Sequence, residues 1–214
     1  MPKSTFFNLP ADKREKILQV AIEEFARHSY REASVNRIVE RSGIAKGSFY
    51  QYFEDKKDLF KFIIEKSGEK KLEYLGQVLN NLEQLDFFEL VRELYAAGIK
   101  FAKENPELFA IGQRLLKDDD RNLFEEIMED PKNKGQQFFV ELLKKGIQRG
   151  EIDPGISVEL VAMLLVWMNF AISEYFLNEK KKNDLMGLME IVDELIYVIK
   201  NGIKAKGRTE NADR

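Results

Sequence analysis

The stretch from Ser34 to Leu59, SVNRIVERSGIAKGSFYQYFEDKKDL, restricts the possible folds of this chain more than any other segment. Its first part has three apolar residues at helical spacing, and Ser34 precedes them as an N-cap candidate. Gly43 follows where this helix must end, and a glycine at that position readily takes a left-handed backbone conformation. A second short helix, Lys46–Tyr52, then leaves at a steep angle. The stretch therefore predicts a helix-turn-helix.

The second helix of this pair is unusual for a structural helix because it has almost no apolar stripe. Only Phe49, with Phe53 four residues later, is expected to point inward. Its other side chains include an ammonium, a hydroxyl, an amide and two phenols, which are groups that reach phosphates and base edges. The alternative is that Tyr50 and Tyr52 merely cover a small domain. Because polar groups crowd one short helix without an apolar reason, we favour contact with DNA.

The run from Gly43 to Leu59, GIAKGSFYQYFEDKKDL, resembles the N-terminal DNA-binding signature of the TetR (tetracycline-repressor-like) transcriptional regulators. That signature is roughly G-[VI]-[AS]-x-[GP]-[TS]-[FL]-Y-x-[YH]-F-x-x-K-x-x-L, and every defined position matches. The upstream helix with Phe25 and its spacing to Ser34 match as well. The resemblance covers about the first quarter of the chain. It implies a homodimeric, ligand-responsive repressor that reads the paired half-sites of a palindromic operator.

The resemblance also implies roles for individual residues. Phosphate contacts are expected from Ser34, Ser48, Tyr50 and Lys56, with Arg37 as a secondary candidate. Base-edge contacts are expected from Asn36, Lys46, Gln51 and Tyr52, and Gly47 lets the backbone approach the DNA. By the geometry of base recognition, Gln51 suits adenine and Lys46 suits guanine.

Lys56 and Lys57 stand in the first turn of the next helix, directly behind Asp55, its N-cap candidate. Cations in a first turn oppose the helix dipole, so their presence needs a physical reason. One reason is a phosphate beside this helix end. The other is that Asp55 and Asp58 simply neutralise both lysines. The resemblance favours phosphate contact for Lys56.

The cysteine and histidine content excludes several classes of site. The 214-residue chain has no cysteine and one histidine, His28, which excludes disulfides, thiolate metal sites and His-cluster metal sites. An enzyme built on a helical bundle is disfavoured, because the sequence has no Glu-x-x-His pair for a di-metal site. It also has no P-loop and no dinucleotide fingerprint. We therefore expect neither catalysis nor a cofactor.

Charge is distributed unevenly along the chain, whose formal net charge is −3. Residues 1–60 contain eleven Lys and Arg against nine Asp and Glu, a net +2, and the remaining 23 and 28 give −5. A mildly basic head on an acidic body is compatible with a DNA-binding regulator. The N-terminus lacks the long apolar core of a secretory signal, and the apolar run Leu160–Ile172 is shorter than the ~20 residues of a bilayer span. We therefore expect a cytoplasmic protein without membrane contact.

Apolar periodicity predicts helices along the rest of the chain and no strand. Residues 1–9 are expected to form a mobile arm, and one long helix should run from Asp55 to Leu82. Asp130–Pro131 is expected to restart a helix, and Asp153–Gly155 to separate two helices.

The last two predicted helices are the most apolar. The first of them has two apolar stripes side by side, of which the second consists of Leu160, Leu164, Trp167 and Ala171. A helix that is apolar nearly all round must be covered on two sides. The core covers one face, and we expect a second copy of the chain to cover the other. The predicted partner is therefore a homodimer through the last two helices.

These observations predict an all-α fold of about nine helices, in which a three-helix helix-turn-helix head precedes a helical bundle. We expect a DNA-binding domain at residues 1–55, an effector-binding and dimerisation domain at 56–205 and a disordered tail at 206–214.

The resemblance implies an effector cavity inside the helical bundle. Candidate lining residues are Tyr74, Tyr95, Phe109, Gln113, Phe138, Met163, Trp167, Phe170 and Tyr175. An aromatic and Met-rich set suits a flat or lipophilic ligand, such as a fatty acyl group or an aromatic drug, but an ordinary core contains the same residues. A helical regulator without an effector and an interaction module that does not read DNA remain open alternatives. The acidic run 118–120 is interpreted as a loop or helix cap, not as a metal site.

Overall fold

The computed structural model of this chain describes residues 1–80, 83–117, 121–178 and 185–203, with the backbone alone at 169–170, 173–178 and 185–186. These residues form ten α-helices: α1 (Ser4–Phe7), α2 (Ala11–Arg27), α3 (Val35–Ser42), α4 (Lys46–Tyr52), α5 (Lys56–Leu79), α6 (Phe87–Glu104), α7 (Pro106–Lys117), α8 (Arg121–Gln148), α9 (Val158–Asn178) and α10 (Leu185–Ile203). Within these ranges no strand occurs, and Ile152 forms an isolated β-bridge. The predicted all-α fold is confirmed.

Two compact units make up the described chain. Unit 1 consists of Met1–Tyr74 and Lys100–Glu129, and unit 2 of Leu75–Ile99 and the described part of Asp130–Arg214. Three helices, α5, α6 and α8, therefore contribute residues to both units. Because the units are defined by packing, the functional boundary expected at residue 55 stays a prediction.

The core of unit 1 joins the helix-turn-helix to helices that come much later in the chain. Phe25 of α2 and Phe60 of α5 pack ring against ring, with their centroids 4.8 Å apart. Ile111 of α7 belongs to the same buried cluster. Arg114 of α7 also donates from Nε to the carbonyl oxygen of Ala26, at 2.7 Å. The head is therefore stabilised by α7 as well as by its own three helices.

Residues 1–9 do not form a mobile arm, contrary to the prediction. They contain the short helix α1, and the side chain of Phe6 within it is only 1% exposed. The centroid of the Phe6 ring lies 4.9 Å from that of Phe53 and 5.9 Å from that of Phe62. Burial of Phe6 and the hydrogen bonds from Lys3 and Thr5 to the end of α4 together oppose the conformational entropy of this segment.

Pro131 does not restart a helix, which is a second correction. It lies inside α8, which runs without interruption from Arg121 to Gln148. A proline removes one intrahelical hydrogen bond, here to the carbonyl of Ile127. On either side of it, Ile127 is buried in unit 1 and Phe139 in unit 2. Packing fixes both halves of the helix, and this outweighs the lost bond.

Unit 2 has a core of its own, to which α9 and α10 contribute. Leu165 of α9 and Val192 of α10 are almost fully buried. The predicted break at Asp153–Gly155 lies between α8 and α9, as expected. The second apolar stripe of α9, which consists of Leu160, Leu164, Trp167 and Ala171, is exposed to solvent, and so is the neighbouring Met163.

Candidate nucleic-acid interface

Gly43 sets the turn between α3 and α4, as the sequence predicts. Its φ is +73°, in the left-handed region. The N–H groups of Gly43 and Ile44 donate to the carbonyl oxygens of Glu40 and Val39, at 3.2 and 3.0 Å. This pair of bonds closes the end of α3 in a Schellman arrangement and sends the chain directly into α4.

The outward side of α4 carries several of the predicted DNA-binding residues. Lys46, Gly47 and Gln51 are exposed, and the side chain of Tyr50 is 46% exposed. Phe49 is fully buried and anchors α4 on the core of unit 1. The helix contains no acidic residue that would repel phosphate. It therefore presents an ammonium, a phenol, an amide and a stretch of bare backbone to solvent.

Three further predicted residues lie on α4 and at the start of α3. Asn36 is exposed, whereas Ser34 and Ser48 are half-buried. Ser34 Oγ accepts a hydrogen bond from the N–H of Arg37 at 3.5 Å, so Ser34 caps α3 as predicted. A capping hydroxyl still has its own hydrogen to donate, for example to a phosphate oxygen.

Arg37 and Tyr52, also predicted to contact DNA, are used inside the protein instead. Arg37 donates from Nε and Nη2 to Oε1 of Glu24, at 2.8 and 2.5 Å, and from Nη2 to the carbonyl oxygen of Glu32 at 2.7 Å. Tyr52 is 7% exposed, and its ring lies beside that of Phe6. Because the guanidinium of Arg37 is bonded to Glu24 and the ring of Tyr52 is buried, we leave both out of the candidate interface.

Glu24 is the buried charge that organises this part of the head. It is 2% exposed, and its Oε1 also accepts the N–H of Ser34 at 2.9 Å. Burial alone would raise the pKa of the Glu24 carboxyl. The hydrogen bonds from Arg37 and Ser34 outweigh this effect and hold the pKa below its ordinary value. Glu24 therefore stays ionised and ties α2 to the start of α3.

Lys56 also has an internal role, which differs from the predicted phosphate contact. Its ammonium donates to the carbonyl oxygens of Tyr30, Arg31 and Ala33, at 2.6, 3.3 and 2.9 Å. It also lies 4.5 Å from the centroid of the Tyr30 ring. Burial lowers the pKa of this ammonium. The cation in the first turn of α5 therefore fixes the loop before α3.

The other cations near the start of α5 pair with α8. Lys57 Nζ lies 3.2 Å from Oε2 of Glu126, and Lys61 Nζ lies 2.6 Å from Oε1 of the same residue. All three side chains are more than 40% exposed, so each pair contributes little to stability on its own. The N-cap role predicted for Asp55 is confirmed, since its Oδ1 accepts the N–H of Asp58 at 2.8 Å.

The predicted effector-lining residues are divided between the two units. Unit 1 contains Tyr74, Phe109 and Gln113, and unit 2 contains Tyr95, Phe138, Met163 and Trp167. The side chains of Phe170 and Tyr175 lie outside the described residues.

Several of these side chains already have defined surroundings. Tyr74 donates from its hydroxyl to Oε2 of Glu104 at 2.8 Å, and Tyr95 donates from its hydroxyl to the carbonyl oxygen of Leu165 at 3.1 Å. Gln113 is 9% exposed, and Phe109 and Phe138 are half-buried. Trp167 lies on the exposed stripe of α9 and Met163 is exposed beside it, so their role as effector-lining residues stays a prediction.

A half-open cavity of about 250 Å³ lies within unit 2. Its lining residues are Glu83, Leu85, Phe87, Leu90, Leu142, Lys145, Gly146, Gln148, Arg149 and Glu151. None of the predicted effector-lining residues is among them. The effector site therefore stays a prediction.

In the described part of the chain, no group of three or more His, Asp or Glu side chains is placed to hold a metal ion. The acidic run at 118–120 and the expected tail at 206–214 lie outside the described residues. None of the described helices is long and apolar enough to cross a membrane.

Sequence reasoning missed Glu24 and two residues of the N-terminal segment, Lys3 and Thr5, which hydrogen-bond to the end of α4. The sequence did contain a signal that donors such as Lys3 and Thr5 are needed. Phe53 follows α4 where a glycine or asparagine commonly closes a helix. The last carbonyl groups of α4 therefore require donors from elsewhere in the chain.

Comparison with known proteins identifies the family. Residues 17–63 match the bacterial regulatory proteins of the tetR family, and residues 85–205 match a tetracyclin repressor-like C-terminal domain. The curated fatty acid metabolism regulator protein of Bacillus subtilis (strain 168) is 27% identical over 195 residues, which cover 86% of this chain and 95% of that protein.

Solved structures show the same likeness over nearly the whole chain. A TetR family transcriptional regulator from Chloroflexus aurantiacus J-10-fl is 30% identical, with a TM-score of 0.72 over 96% of this chain and 100% of that chain. FadR from Bacillus subtilis, solved with stearoyl-CoA, is 24% identical and shares the fold, with a TM-score of 0.67 over 85% and 96% of the two chains. Because the matched C-terminal domain spans more than half of the sequence and the helix-turn-helix matches as well, this chain belongs to the TetR family of DNA-binding transcriptional regulators.

Proposed function

We propose that this regulator is a cytoplasmic homodimeric repressor that binds a palindromic operator and is released from it by a lipophilic small molecule. It acts by binding and not by catalysis. The observation that carries the DNA-binding part is the outward side of α4. There, Lys46, Tyr50 and Gln51 stand exposed beside Gly47 on a helix that Phe49 anchors to the core.

The proposed interface uses fewer residues than the sequence predicts. Gln51 and Lys46 contact base edges, and Gly47 lets the backbone approach the DNA. Phosphates are bound by Ser34, Ser48 and Tyr50. Asn36, exposed on α3, is a further base-edge candidate. The internal hydrogen bonds of Arg37 and Lys56 and the burial of Tyr52 support leaving these three residues out.

The exposed stripe of α9 supports the homodimer. Leu160 and Leu164 are each 51% exposed and Trp167 is 40% exposed, at helical spacing on one face. On α10, Tyr197 and Val198 are 70% and 66% exposed. Apolar side chains grouped in this way are typical of a protein interface. A second copy covers this surface in our proposal, and the two copies of α4 then read two half-sites.

The lipophilic effector is supported by the similarity to a regulator of fatty acid metabolism and by the aromatic content of the helical bundle. Release requires that the effector bind the DNA-incompatible state more tightly than the DNA-bound state. α5 is suited to link the two sites. Lys56 ties its first turn to the head, and Leu75 and Val78 near its other end pack on the core of unit 2.

A binding experiment with matched variants tests the DNA-binding proposal. The operator is obtained by selection from random duplexes, and affinity is measured as a function of salt for Lys46→Ala, Tyr50→Phe and Gln51→Ala. We expect Gln51→Ala and Lys46→Ala each to weaken operator binding by about 5- to 100-fold. Lys70→Ala, an exposed lysine on α5, serves as the control and should bind like the wild type. Wild-type affinity and salt slope in all three variants would contradict the assignment.

A second experiment tests the effector proposal. The melting temperature is measured with long-chain acyl-CoA, long-chain fatty acid, an aromatic drug and free CoA. A ligand that binds only the folded state raises the melting temperature, and the stabilisation grows with the logarithm of the ligand concentration. We expect a shift with at least one lipophilic ligand and none with free CoA, and the same ligand should release the operator. If no lipophilic class produces a shift, the alternative of a regulator without an effector is favoured.

A further inference from the structure

The C-terminal end of α4 lacks the closing residues that a short helix usually needs. The helix has only seven residues, and Phe53, which follows it, is in an extended conformation. The last carbonyl groups of a helix have no partner inside it and must be satisfied by other donors. Isolated helices of this length are not stable in water. The orientation of α4 therefore depends on contacts from outside the helix.

The N-terminal segment supplies the missing donors to three consecutive carbonyl groups. The N–H of Lys3 donates to the carbonyl oxygen of Tyr52 at 2.8 Å. Lys3 Nζ donates to the carbonyl oxygen of Tyr50 at 2.8 Å, and Thr5 Oγ1 donates to that of Gln51. An ammonium at this end of a helix also interacts favourably with the helix dipole.

This donor segment is itself held in place by the residues that follow Thr5. Phe6 is 1% exposed and packs between the rings of Phe53 and Phe62. Directly after Phe6, the carbonyl oxygens of Phe7 and Leu9 accept hydrogen bonds from Nη1 of Arg14 in α2, each at 2.7 Å. The donors therefore have a fixed position relative to the core of unit 1.

We propose that residues 3–7 are a positioning element for recognition of the operator. They hold the backbone of Tyr50 and Gln51, whose side chains stand exposed on the proposed DNA-binding side of α4, and thereby set the direction in which those side chains point. This inference rests on the proposed function. Lys3 and Thr5 are positioning residues, because they act through Tyr50 and Gln51 and do not themselves touch DNA.

The positioning role has a consequence that separates it from a phosphate contact. Misplacing Tyr50 and Gln51 removes contacts to base edges, which contribute to affinity only on the operator sequence. The attraction to phosphates, which all DNA sequences share, stays in place. Loss of a lysine that contacts phosphate instead weakens binding to all sequences and reduces the salt slope by about one. The ratio of operator to non-operator affinity distinguishes the two.

The experiment uses the full chain with the double variant Lys3→Met/Thr5→Val, which removes two donors and keeps the buried Phe6. We expect operator affinity to fall by about tenfold, since each hydrogen bond contributes modestly. Affinity for non-operator DNA, its salt slope and the melting temperature should stay close to those of the wild type. Hydrogen exchange at the amides of α4 should become faster.

Two conservative variants and one control complete the test. Lys3→Arg/Thr5→Ser keeps both donors and should restore operator affinity. Ser4→Ala changes an exposed side chain of the same segment and should have no effect. The proposal is overturned if the double variant binds the operator like the wild type, or if it weakens operator and non-operator binding equally with a smaller salt slope. Failure of the proposed function itself is visible separately, because the wild type would then not prefer the operator.

Discussion

Arg37 and Glu24 form a paired contact between α3 and α2, with Arg37 Nε and Nη2 at 2.8 and 2.5 Å from the same carboxylate oxygen. Glu24 is nearly fully buried, whereas Arg37 is 45% exposed. The same oxygen accepts the N–H of Ser34, which caps α3. One carboxylate thus holds both the start of α3 and the side chain that was expected to reach DNA.

Replacing Glu24 by Gln should lower the free energy of unfolding by about 1–2 kcal/mol at neutral pH, because a charged acceptor is lost while solvent screens the exposed guanidinium. The pKa of Glu24 is lower in the folded protein than its ordinary value of 4.5. Its stabilising contribution is therefore complete above pH 4.5 and is lost as pH falls through the lower, folded-state pKa.

Urea unfolding of wild type and Glu24→Gln at pH 7 and at pH 4 and below measures this effect. The difference in the free energy of unfolding between the two proteins should narrow as the pH is lowered. Glu15→Gln, an exposed position on the same helix, is the control and should match the wild type at neutral pH. The prediction would be contradicted if the difference in the free energy of unfolding between wild type and Glu24→Gln became larger at low pH.

Lys56→Met should lower stability without changing how DNA binding depends on salt. The variant removes the donor shared by the carbonyl groups of Tyr30, Arg31 and Ala33, at an expected cost of about 1–2 kcal/mol. Lys46→Met is the matched variant on α4, and it should weaken DNA binding with an unchanged melting temperature. A smaller salt slope for Lys56→Met, as measured by titration at several ionic strengths, would instead indicate a phosphate contact.

Two glycine variants should change stability in opposite directions. Gly43→Ala forces a side chain into the left-handed region and should cost about 1–2 kcal/mol, although a Cβ there meets no atom closer than 3.7 Å. Gly47→Ala adds a Cβ with nothing within 4 Å of it on a helix, and should stabilise by up to about 1 kcal/mol. Thermal unfolding measures both. Operator binding of Gly47→Ala should nevertheless weaken, since the Cβ obstructs approach of the backbone to DNA.

Leu164→Glu should convert the proposed homodimer into monomers, because it places a charge in the middle of the exposed stripe of α9. Leu72→Glu is the control, since Leu72 is also a largely exposed leucine but lies on α5. Sedimentation equilibrium of both variants and the wild type gives the masses. The homodimer proposal fails if the wild type is a monomer. A Leu164→Glu protein that stays dimeric would place the interface elsewhere.

The elements that the sequence predicted correctly depend on neighbours a few residues apart. The left-handed Gly43, the caps at Ser34 and Asp55, and the two stripes of α9 follow from local backbone preferences and helical periodicity. The family signature, which is also a pattern of consecutive residues, predicted the fold correctly as well.

The errors concern contacts between residues that are distant in the chain. The internal partners of Lys56, which lie 23 to 26 residues earlier, were not predicted, and its phosphate contact stays an untested prediction. Residues 1–9 were expected to be mobile, yet Lys3 finds its acceptor on Tyr50, 47 residues later. Pro131 was expected to separate helices, yet packing on both sides holds α8 together.

The sequence by itself therefore determined that this chain has an all-α fold with a helix-turn-helix, and which short helix carries the candidate DNA-binding groups. Only the tertiary structure decided which polar groups of that head form internal hydrogen bonds, as those of Arg37 and Lys56 do, and that the ring of Tyr52 is buried. The physical reason is that a helix or a turn is selected by local backbone energies. The partner of a charged or aromatic side chain is selected by burial, which depends on what the rest of the chain brings beside it.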